Sequence, residues 1–196
     1  MLTTKEQNLI KCANNFNITN KLELAHLLAQ CNHESGNFNR TVESFNYTPA
    51  GLMATWPKRF TPELANKLGR TPEHPANQQA IANHVYNRKD MGNVVTPDDG
   101  WIFKGRGYLQ CTGRHNYTLF NVWLKSNGYS YDVINNPDTV ATTLCSISAI
   151  WFWTTNSIGK LALNDDVVGV SKKINGGLIG LDDRKQLTDY YKQQLK

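Results

Sequence analysis

The amino-acid sequence predicts a mostly α-helical protein, and three observations lead to that expectation. Capping residues recur in front of apolar stretches, apolar residues repeat every three to four positions, and the short alternating stretches noted, as in a strand, lie within residues 91–113. Of the 196 residues, 40% are hydrophobic and 19% are charged, which is ordinary for a globular protein and argues against disorder. No repeat or linker-like stretch is present, so we expect a single domain over 1–196.

Helix-start signals divide the first half of the chain. A Thr or Asn followed three residues later by Glu is typical of a helix N-terminus, and Thr-Pro-Glu places a cap before a proline in the first turn. The stretch 36–60 carries Gly, Pro and Asn, so we expect a long loop with one helical turn. The expected helices run from Thr3 to about Asn14, from Asn20 to Ser35, from Thr61, and over Ala76–Asn87, with Thr71 repeating the start signal of Thr61.

The second half is expected to hold a small hairpin and four helices. Residues 91–113 are rich in Gly and Asp and contain the alternating stretch 108–112, which favours a small β-hairpin. The stretch that follows Pro137 is apolar on all sides and predicts the buried central helix. The expected helices run over Arg114–Ser126, from Asn136 to about Thr155, from the cap at 164–166 to Asn175, and over Leu181–Leu195.

Composition argues against several classes of protein. The longest uninterrupted apolar run is Ala149–Trp153, far below the ~18 residues that a membrane span needs. The first residues lack a basic start followed by an apolar stretch, so we expect no ordinary signal peptide. The net charge of +5 favours a polyanionic partner, such as nucleic acid, anionic lipid or wall polymer, without choosing among them. Four scattered cysteines form no CxxC pair and are expected to be reduced, buried thiols.

The glutamates narrow the search for a catalytic site. Four of the six stand in the first turns of expected helices, where a carboxylate interacts favourably with the helix dipole. Glu34 instead ends a helix, where negative charge is disfavoured, and such a break of a local rule marks a functional candidate. The alternative is an ion pair of Glu34 with Arg40 or His33.

The position of Glu43 suggests a paired carboxylate. Gly36 interrupts the helix after Glu34, so a loop can bring Glu43 back across a cleft. Two carboxyl groups ~6.5–9.5 Å apart would suit an inverting glycosidase, and a separation of ~5 Å would suit a retaining one. The sequence leaves that separation open.

Five stretches follow one another in order and span roughly residues 22–190, nearly the whole chain. They are Ala25–Phe38, Asn46–Pro49 with Thr55–Phe60, Ile81–Arg88 with Met91–Asn93, Asp99–Tyr117, and Lys173–Arg184. Together they resemble the chitinases of glycoside hydrolase family 19 and their phage endolysin relatives. The short spacing of Glu34 and Glu43 is similar to the endolysin branch, because plant-type chitinases place the second Glu farther along the chain.

The resemblance implies a lysozyme-like helical domain with a substrate cleft and no separate wall-binding domain. Glu34 is similar to the family's general acid, Glu43 to its general base, and Thr112 to the hydroxyl residue that holds the attacking water. Arg184 is a candidate partner of a catalytic Glu. The candidate substrate-binding residues are Gln110, Asn116, Tyr117, Asn175, Arg184, Tyr47 and Trp101.

These residue types suit the implied chemistry. A general acid must still carry its proton near neutral pH, and apolar surroundings from Leu27, Leu28 and Phe38 would help the Glu34 carboxyl to keep it. The base must stay ionised and reach water, which suits a loop position such as Glu43. Hydroxyl and amide side chains can orient water or bind acetamido groups, and aromatic rings can stack on sugar faces.

Residues and resemblance together predict an endolysin that hydrolyses β-1,4 bonds between N-acetylated amino sugars of bacterial peptidoglycan. Net inversion is expected, with no cofactor and no metal. The enzyme is expected to be a monomer that is made in the host cytoplasm and acts on the wall from the periplasm, after release through a holin-type membrane pore. Neither nucleic-acid binding nor stable membrane insertion is expected.

Four alternatives differ from this prediction in ways that can be tested. A chitinase would cleave chitin instead of peptidoglycan. A zinc amidase would need an HExxH string, but the string that begins at His33-Glu34 has Asn37 in its fifth position. A nucleic-acid binder would gather its charge on one element, whereas the basic residues of 104–114 form only a loose patch. A non-catalytic wall-binding module predicts the loss of a catalytic Glu, and both are present.

Overall fold

The structure, a computed structural model, describes all 196 residues and is mostly helical, which confirms the predicted fold class. β-Structure is limited to isolated bridges, among them the antiparallel pair Arg106 and Cys111. None of the helices combines the length and the apolar character that a membrane crossing requires. The helices are α1 Thr4–Asn14, α2 Lys21–Ser35, α3 Pro49–Thr55, α4 Pro62–Leu68, α5 Gln78–Tyr86, α6 Asp99–Ile102, α7 Arg114–Ser126, α8 Cys145–Thr155, α9 Gly159–Ala162, α10 Val167–Asn175 and α11 Leu181–Gln194.

The chain forms two compact units, and each is built from separate stretches of sequence. The first unit contains Met1–Thr41, Arg106–Cys111 and Asp138–Lys196, and the second contains Val42–Gly105 and Thr112–Pro137. The single domain that we expect over 1–196 stays a prediction.

The core of the first unit is built on α2, α8 and α11. Helix α2 packs along α11, and Leu24, Leu27 and Leu28 of α2 are at most 5% exposed. Burying a leucine side chain fully is worth roughly 1.5–3 kcal/mol, so this face is a main source of the unit's stability. Trp153 of α8 lies in the same core, as expected for the predicted central helix.

Helix α2 begins and ends where its capping residues predict. The side chain of Asn20 accepts the backbone N–H groups of Leu22 at 2.9 Å and Glu23 at 3.3 Å. Gly36 ends the helix with φ of 55°, a left-handed conformation that glycine adopts without strain. Glu34 therefore stands in the last turn.

The second unit carries its own core, formed by α3, α4, α5 and the segments that join them. Phe45 is fully buried and contacts two half-buried aromatic rings, stacking on Trp56 at 6.5 Å and meeting Tyr86 edge-on at 5.5 Å. Helix α5 packs against the short helix α6. This aromatic cluster fixes the end of α5, where Tyr86 is the last helical residue.

Two expectations about the middle of the chain were wrong. The loop over 36–60 contains a full helix, α3, because Thr48 and Pro49 form the same cap-and-proline start as Thr61. The similar signal at Thr71 starts no helix, since Pro75 would stand inside the first turns and has no N–H to donate.

Two further expectations about the second half need correction. The predicted helix from Asn136 is a 3₁₀ turn over Pro137–Ala141 followed by α8. The backbone N–H groups of Thr142 and Leu144 both bond to the carbonyl of Thr139, at 3.3 and 2.9 Å, and this pattern closes a turn instead of continuing the helix. The expected hairpin near 108–112 is reduced to the Arg106–Cys111 bridge, since the backbone N–H of Gly113 bonds to the carbonyl of Phe103, one residue out of the register of that bridge.

Candidate active site

Glu34 is held by a buried arginine of the same unit. Its side chain is 23% exposed, and its Oε1 forms an ion pair with Nη2 of Arg184, which is 1% exposed. Nη1 of Arg184 also donates to Oε1 of Gln30, and Nε donates to the carbonyl of Ile179 at 3.1 Å. Three acceptors thus orient the planar guanidinium, which in turn orients the Glu34 carboxylate.

The carboxylate of Glu34 does not have the apolar surroundings that we expect, because it contacts this charged partner instead. Leu27, Leu28 and Phe38 are buried in the core of the first unit. The group that contacts the carboxylate is the guanidinium of Arg184, in agreement with the predicted partnership. The surroundings of Glu34 are therefore polar, and the ion pair with Arg184 fixes the position of its side chain.

Asn175 and Arg184 both donate hydrogen bonds to one carbonyl oxygen in the loop between α10 and α11. The amide of Asn175 donates to the carbonyl of Ile179 at 3.0 Å, which also accepts from Arg184. Gly180 has φ of 69°, and a Cβ at this position would overlap the imidazole of His33. His33 in turn contacts Asp183 at 2.5 Å. The end of α2 is thus connected to α11 by two neighbouring pairs, His33 with Asp183 and Glu34 with Arg184.

Glu43 accepts a hydrogen bond on each carboxylate oxygen. The hydroxyl of Tyr86 donates to Oε1 at 2.7 Å, and the backbone N–H of Gly105 donates to Oε2 at 3.1 Å. The backbone N–H of Glu43 returns a bond to the carbonyl of Gly105 at 2.9 Å. The carboxylate is thus fixed by α5 on one side and by the segment after α6 on the other.

The electrostatics of Glu43 combine burial with favourable partners. Burial raises the pKa of Glu43 above its usual value, while the bonds from Tyr86 and Gly105 and the positive charge of Lys104 act in the opposite direction. Burial and the Glu43 charge also raise the pKa of Tyr47. Lys104 is 8% exposed, with its Nζ 3.3 Å from the ring centroid of Trp101. The second unit therefore gathers Glu43, Tyr47, Tyr86, Trp101 and Lys104.

Buried Asp99 supports the segment that carries Gly105. Its carboxylate accepts from Nε of Arg114 at 3.0 Å and Nη2 at 2.6 Å, from the Thr96 hydroxyl at 2.7 Å, and from the Val95 N–H at 2.8 Å. Burial acts to raise the pKa of Asp99, but these hydrogen bonds outweigh it and lower the pKa to about 2.

A Haemophilus influenzae protein described as a glycosyl hydrolase family 19 domain-containing protein is similar to the chain. The two are 40% identical over 170 residues, which are 86% of this chain and 78% of that protein. The chain belongs to glycosyl hydrolase family 19.

Two plant proteins are similar to this family 19 chain over shorter shares of their own length. An endochitinase of Pisum sativum is 32% identical over 153 residues, and an acidic 27 kDa endochitinase of Solanum lycopersicum is 41% identical over 69 residues. The matches take 38% and 26% of these plant proteins, so the chain spans less than half of their length. No protein-family model matches the chain. Family 19 membership supports a glycoside hydrolase.

The predicted site residues of the family 19 chain fall into two groups. Glu34, Asn175 and Arg184 share one network in the first unit. Gln110, in the same unit, has φ of 53° and donates from its amide to the carbonyl of Gly107 at 3.1 Å. The group in the second unit contains Glu43, Tyr47, Trp101, Thr112, Asn116 and Tyr117.

Three predicted residues that follow the Arg106–Cys111 bridge have different exposures. Thr112 is half-buried, and its carbonyl accepts from the amide of exposed Asn116 at 2.9 Å. Tyr117 is fully buried, packs on Phe103 and donates to the carbonyl of Lys104 at 3.0 Å. Its position in this structure supports the backbone beside Gly105 and does not face solvent.

Sequence reasoning missed three residues of these networks. Gln30 and Tyr86 make their contacts with residues far away in the chain, and only helical register brings them there. Tyr86 lies inside a stretch that resembles the family but carries no signal of its own for contact with Glu43. The sequence places Lys104 only in a loose basic patch, with no signal for a role beside Glu43. No group of three or more His, Cys, Asp or Glu side chains is arranged to hold a metal ion.

Proposed function

We propose that the chain hydrolyses β-1,4 bonds between N-acetylated amino sugars of bacterial peptidoglycan. The observation that carries this proposal is the pair of carboxylates, each oriented by its own polar partners: Glu34 by Arg184, and Glu43 by Tyr86 and Gly105. Family 19 membership supplies the reaction class. The resemblance supplies the roles.

In the proposed mechanism Glu34 is the general acid and Glu43 the general base. Glu34 gives a proton to the leaving glycosidic oxygen while Glu43 takes one from the attacking water, so that the bond breaks with net uptake of one water molecule. The bonds from Tyr86 and Gly105 support the base role, because they favour the ionised carboxylate of Glu43 against the burial that raises its pKa.

Substrates with different leaving groups distinguish the general acid from the general base. An aryl glycoside with an acidic phenol leaves without protonation, so Glu34→Gln should retain activity on this substrate and lose it on natural glycan. Glu43→Gln should be inactive on both, and azide should restore its activity on the aryl glycoside as a small nucleophile. The reverse pattern, with Glu43→Gln active on the aryl glycoside and Glu34→Gln inactive on both substrates, would make Glu43 the acid and Glu34 the base.

The substrate is tested by digestion of lipid-free peptidoglycan and of chitin oligomers in parallel. Reduction with borohydride followed by mass spectrometry identifies the new sugar ends, and reduced N-acetylmuramic acid or N-acetylglucosamine names the bond that is cut. Chitin is the second candidate because the similar plant proteins are described as endochitinases. Peptides freed from intact glycan would contradict a glycosidase.

Inversion is part of the same proposal and has its own measurement. Proton NMR at early times shows the anomeric configuration of the product before mutarotation. The α-anomer from a β-linked substrate indicates inversion, and the β-anomer would require a retaining mechanism.

Thr112→Ala is expected to lower kcat roughly tenfold and to leave KM within about twofold, the size of one lost hydrogen bond. A hydroxyl that orients the attacking water contributes most in the transition state, so binding of the sugar should change little. Steady-state kinetics on a soluble oligomer measures both constants. Thr118→Ala, on the exposed side of α7, is the matched control. A raised KM with unchanged kcat would reject the role of Thr112.

The biological setting in this proposal is host lysis by a monomeric phage endolysin that crosses the inner membrane through a holin-type pore. The test is expression in a Gram-negative host with and without a separate pore protein. Lysis only when the pore is present supports the dependence, and lysis without it contradicts the dependence. Light scattering after gel filtration should give the mass of one chain.

A further inference from the structure

We propose that Tyr86 is a positioning residue for the Glu43 base, which keeps this carboxylate ionised and fixes its direction. The inference rests on the proposed function. It is based on the hydrogen bond from the Tyr86 hydroxyl to Oε1 of Glu43 at 2.7 Å, which joins two residues 43 positions apart in the chain. Tyr86 lies inside one of the stretches that resemble the family but is not among the predicted site residues.

The protonation state of Glu43 follows from its partners. The Gly105 N–H can only donate, and the Tyr86 hydroxyl donates to the other oxygen. An ionised carboxylate accepts both bonds and keeps lone pairs for a water molecule. A protonated carboxyl would bring a third hydrogen, so that one of the two bonds would weaken or the phenol would have to turn. The pair of donors therefore favours the base form against the effect of burial.

The Tyr86 side chain is held so that its hydroxyl remains at Glu43. Its ring meets the buried ring of Phe45 at 5.5 Å with an interplanar angle of 83°. Its carbonyl accepts from the amide of buried Asn93 at 2.8 Å, which fixes the backbone at the end of α5. With both ring and backbone fixed, the donor is in place before substrate arrives.

The titratable groups that act on Glu43 come from three segments. Tyr86 belongs to α5, Tyr47 precedes α3, and Lys104 follows α6. Burial and the Glu43 charge raise the pKa of both tyrosines, so each keeps its proton while Glu43 titrates. The positive charge of Lys104 lowers the pKa of Glu43 and so favours the ionised carboxylate. Tyr86 is therefore a donor at every pH at which the base is formed.

Tyr86→Phe tests the inference in the folded enzyme, because it removes one oxygen and retains the ring. The acidic limb of the kcat profile should move to higher pH by roughly one to two units, the shift that corresponds to one lost hydrogen bond to a charged group. KM should stay within about twofold, since the substrate does not depend on this bond. A purely structural role would lower the melting temperature without moving the limb.

Tyr191→Phe is the matched control. Tyr191 donates its hydroxyl to the Glu6 carboxylate in the first unit, so this variant also loses a phenol–carboxylate bond. It should lose stability with no change in the acidic limb. An equal shift in both variants, or an unmoved limb in Tyr86→Phe, would overturn the inference.

Carbon-13 NMR of the glutamate carboxyl groups separates the inference from the proposed function. The chain has only six glutamates, and Glu43→Gln identifies the signal of Glu43. The pKa read from that signal should rise in Tyr86→Phe and not in Tyr191→Phe, whether or not the enzyme turns over. If the wild type hydrolyses neither peptidoglycan nor chitin oligomers, the proposed function fails while this titration still decides the role of Tyr86.

Discussion

Glu34→Gln is expected to lower hydrolysis of natural glycan by roughly 10²–10⁴-fold, the usual contribution of a general acid. Glutamine keeps the shape of the side chain but has no proton of suitable acidity to give. Its carbonyl can still accept from Arg184, whose other two acceptors, Gln30 and Ile179, are unchanged. The variant should therefore still fold, although the buried guanidinium of Arg184 loses its anionic partner and the unfolding free energy falls. Release of reducing ends measures activity, and thermal unfolding measures the melting temperature.

Glu63→Gln is the control for this experiment. Glu63 is exposed in the first turn of α4 and lies in neither carboxylate network, so its replacement should leave the rate unchanged. Near wild-type hydrolysis by folded Glu34→Gln would contradict the assignment of Glu34 as the acid. Unfolding of that variant would show instead that Arg184 needs a charged partner.

Asp99→Ala is expected to destabilise the protein by about 3–5 kcal/mol, the loss found when one partner of a buried ion pair is removed. Asp99 is fully buried, and its removal leaves the Arg114 guanidinium and the Val95 N–H without their acceptor. In a protein of this size the melting temperature should fall by about 10 °C. Denaturant unfolding of the wild type and the variant measures the difference.

A double-mutant cycle with Arg114→Met isolates the pair. If the two side chains stabilise mainly each other, the double variant should be more stable than the sum of the single losses implies. Strict additivity would contradict the coupling of Asp99 to Arg114.

The contribution of Asp99 to the unfolding free energy changes with pH in a definite direction. The pKa of Asp99 is lowered to about 2 in the folded protein, below the ~3.9 of an unfolded chain. Its contribution is therefore complete above the unfolded value and is lost as the pH falls through about 2. Between pH 5 and about pH 2 the unfolding free energy of the wild type should fall more steeply than that of Asp99→Ala. Parallel curves would contradict the ionised state of Asp99.

Local signals in the sequence predicted the helices well, because a cap acts on residues within one turn. Asn20 and Gly36 set the ends of α2, and Glu34 was noticed because it breaks the charge preference of the last turn. The 3₁₀ turn before α8 is closed by two backbone N–H groups that share the carbonyl of Thr139, an arrangement that apolar periodicity does not reveal.

The partners of the two glutamates depend on contacts that the local sequence does not encode. Arg184 is 150 positions from Glu34, and Tyr86 is 43 positions from Glu43. Resemblance pointed to Arg184, but nothing in the stretch around Tyr86 distinguishes its hydroxyl from that of a core tyrosine. Such pairings follow from the packing of whole helices, which helical periodicity alone does not determine.

The long chain separation between Glu34 and its arginine also has a consequence for biosynthesis. After Glu34 has been added, the ribosome must join 150 further residues before Arg184 exists. Until then Glu34 lacks the guanidinium of Arg184, and α2 lacks α11, the helix along which it packs. A nascent or prematurely terminated chain that stops before this point therefore cannot complete the arrangement around Glu34. Assembly of this part of the enzyme has to wait until α11 has been synthesised, and products truncated before Arg184 should be inert.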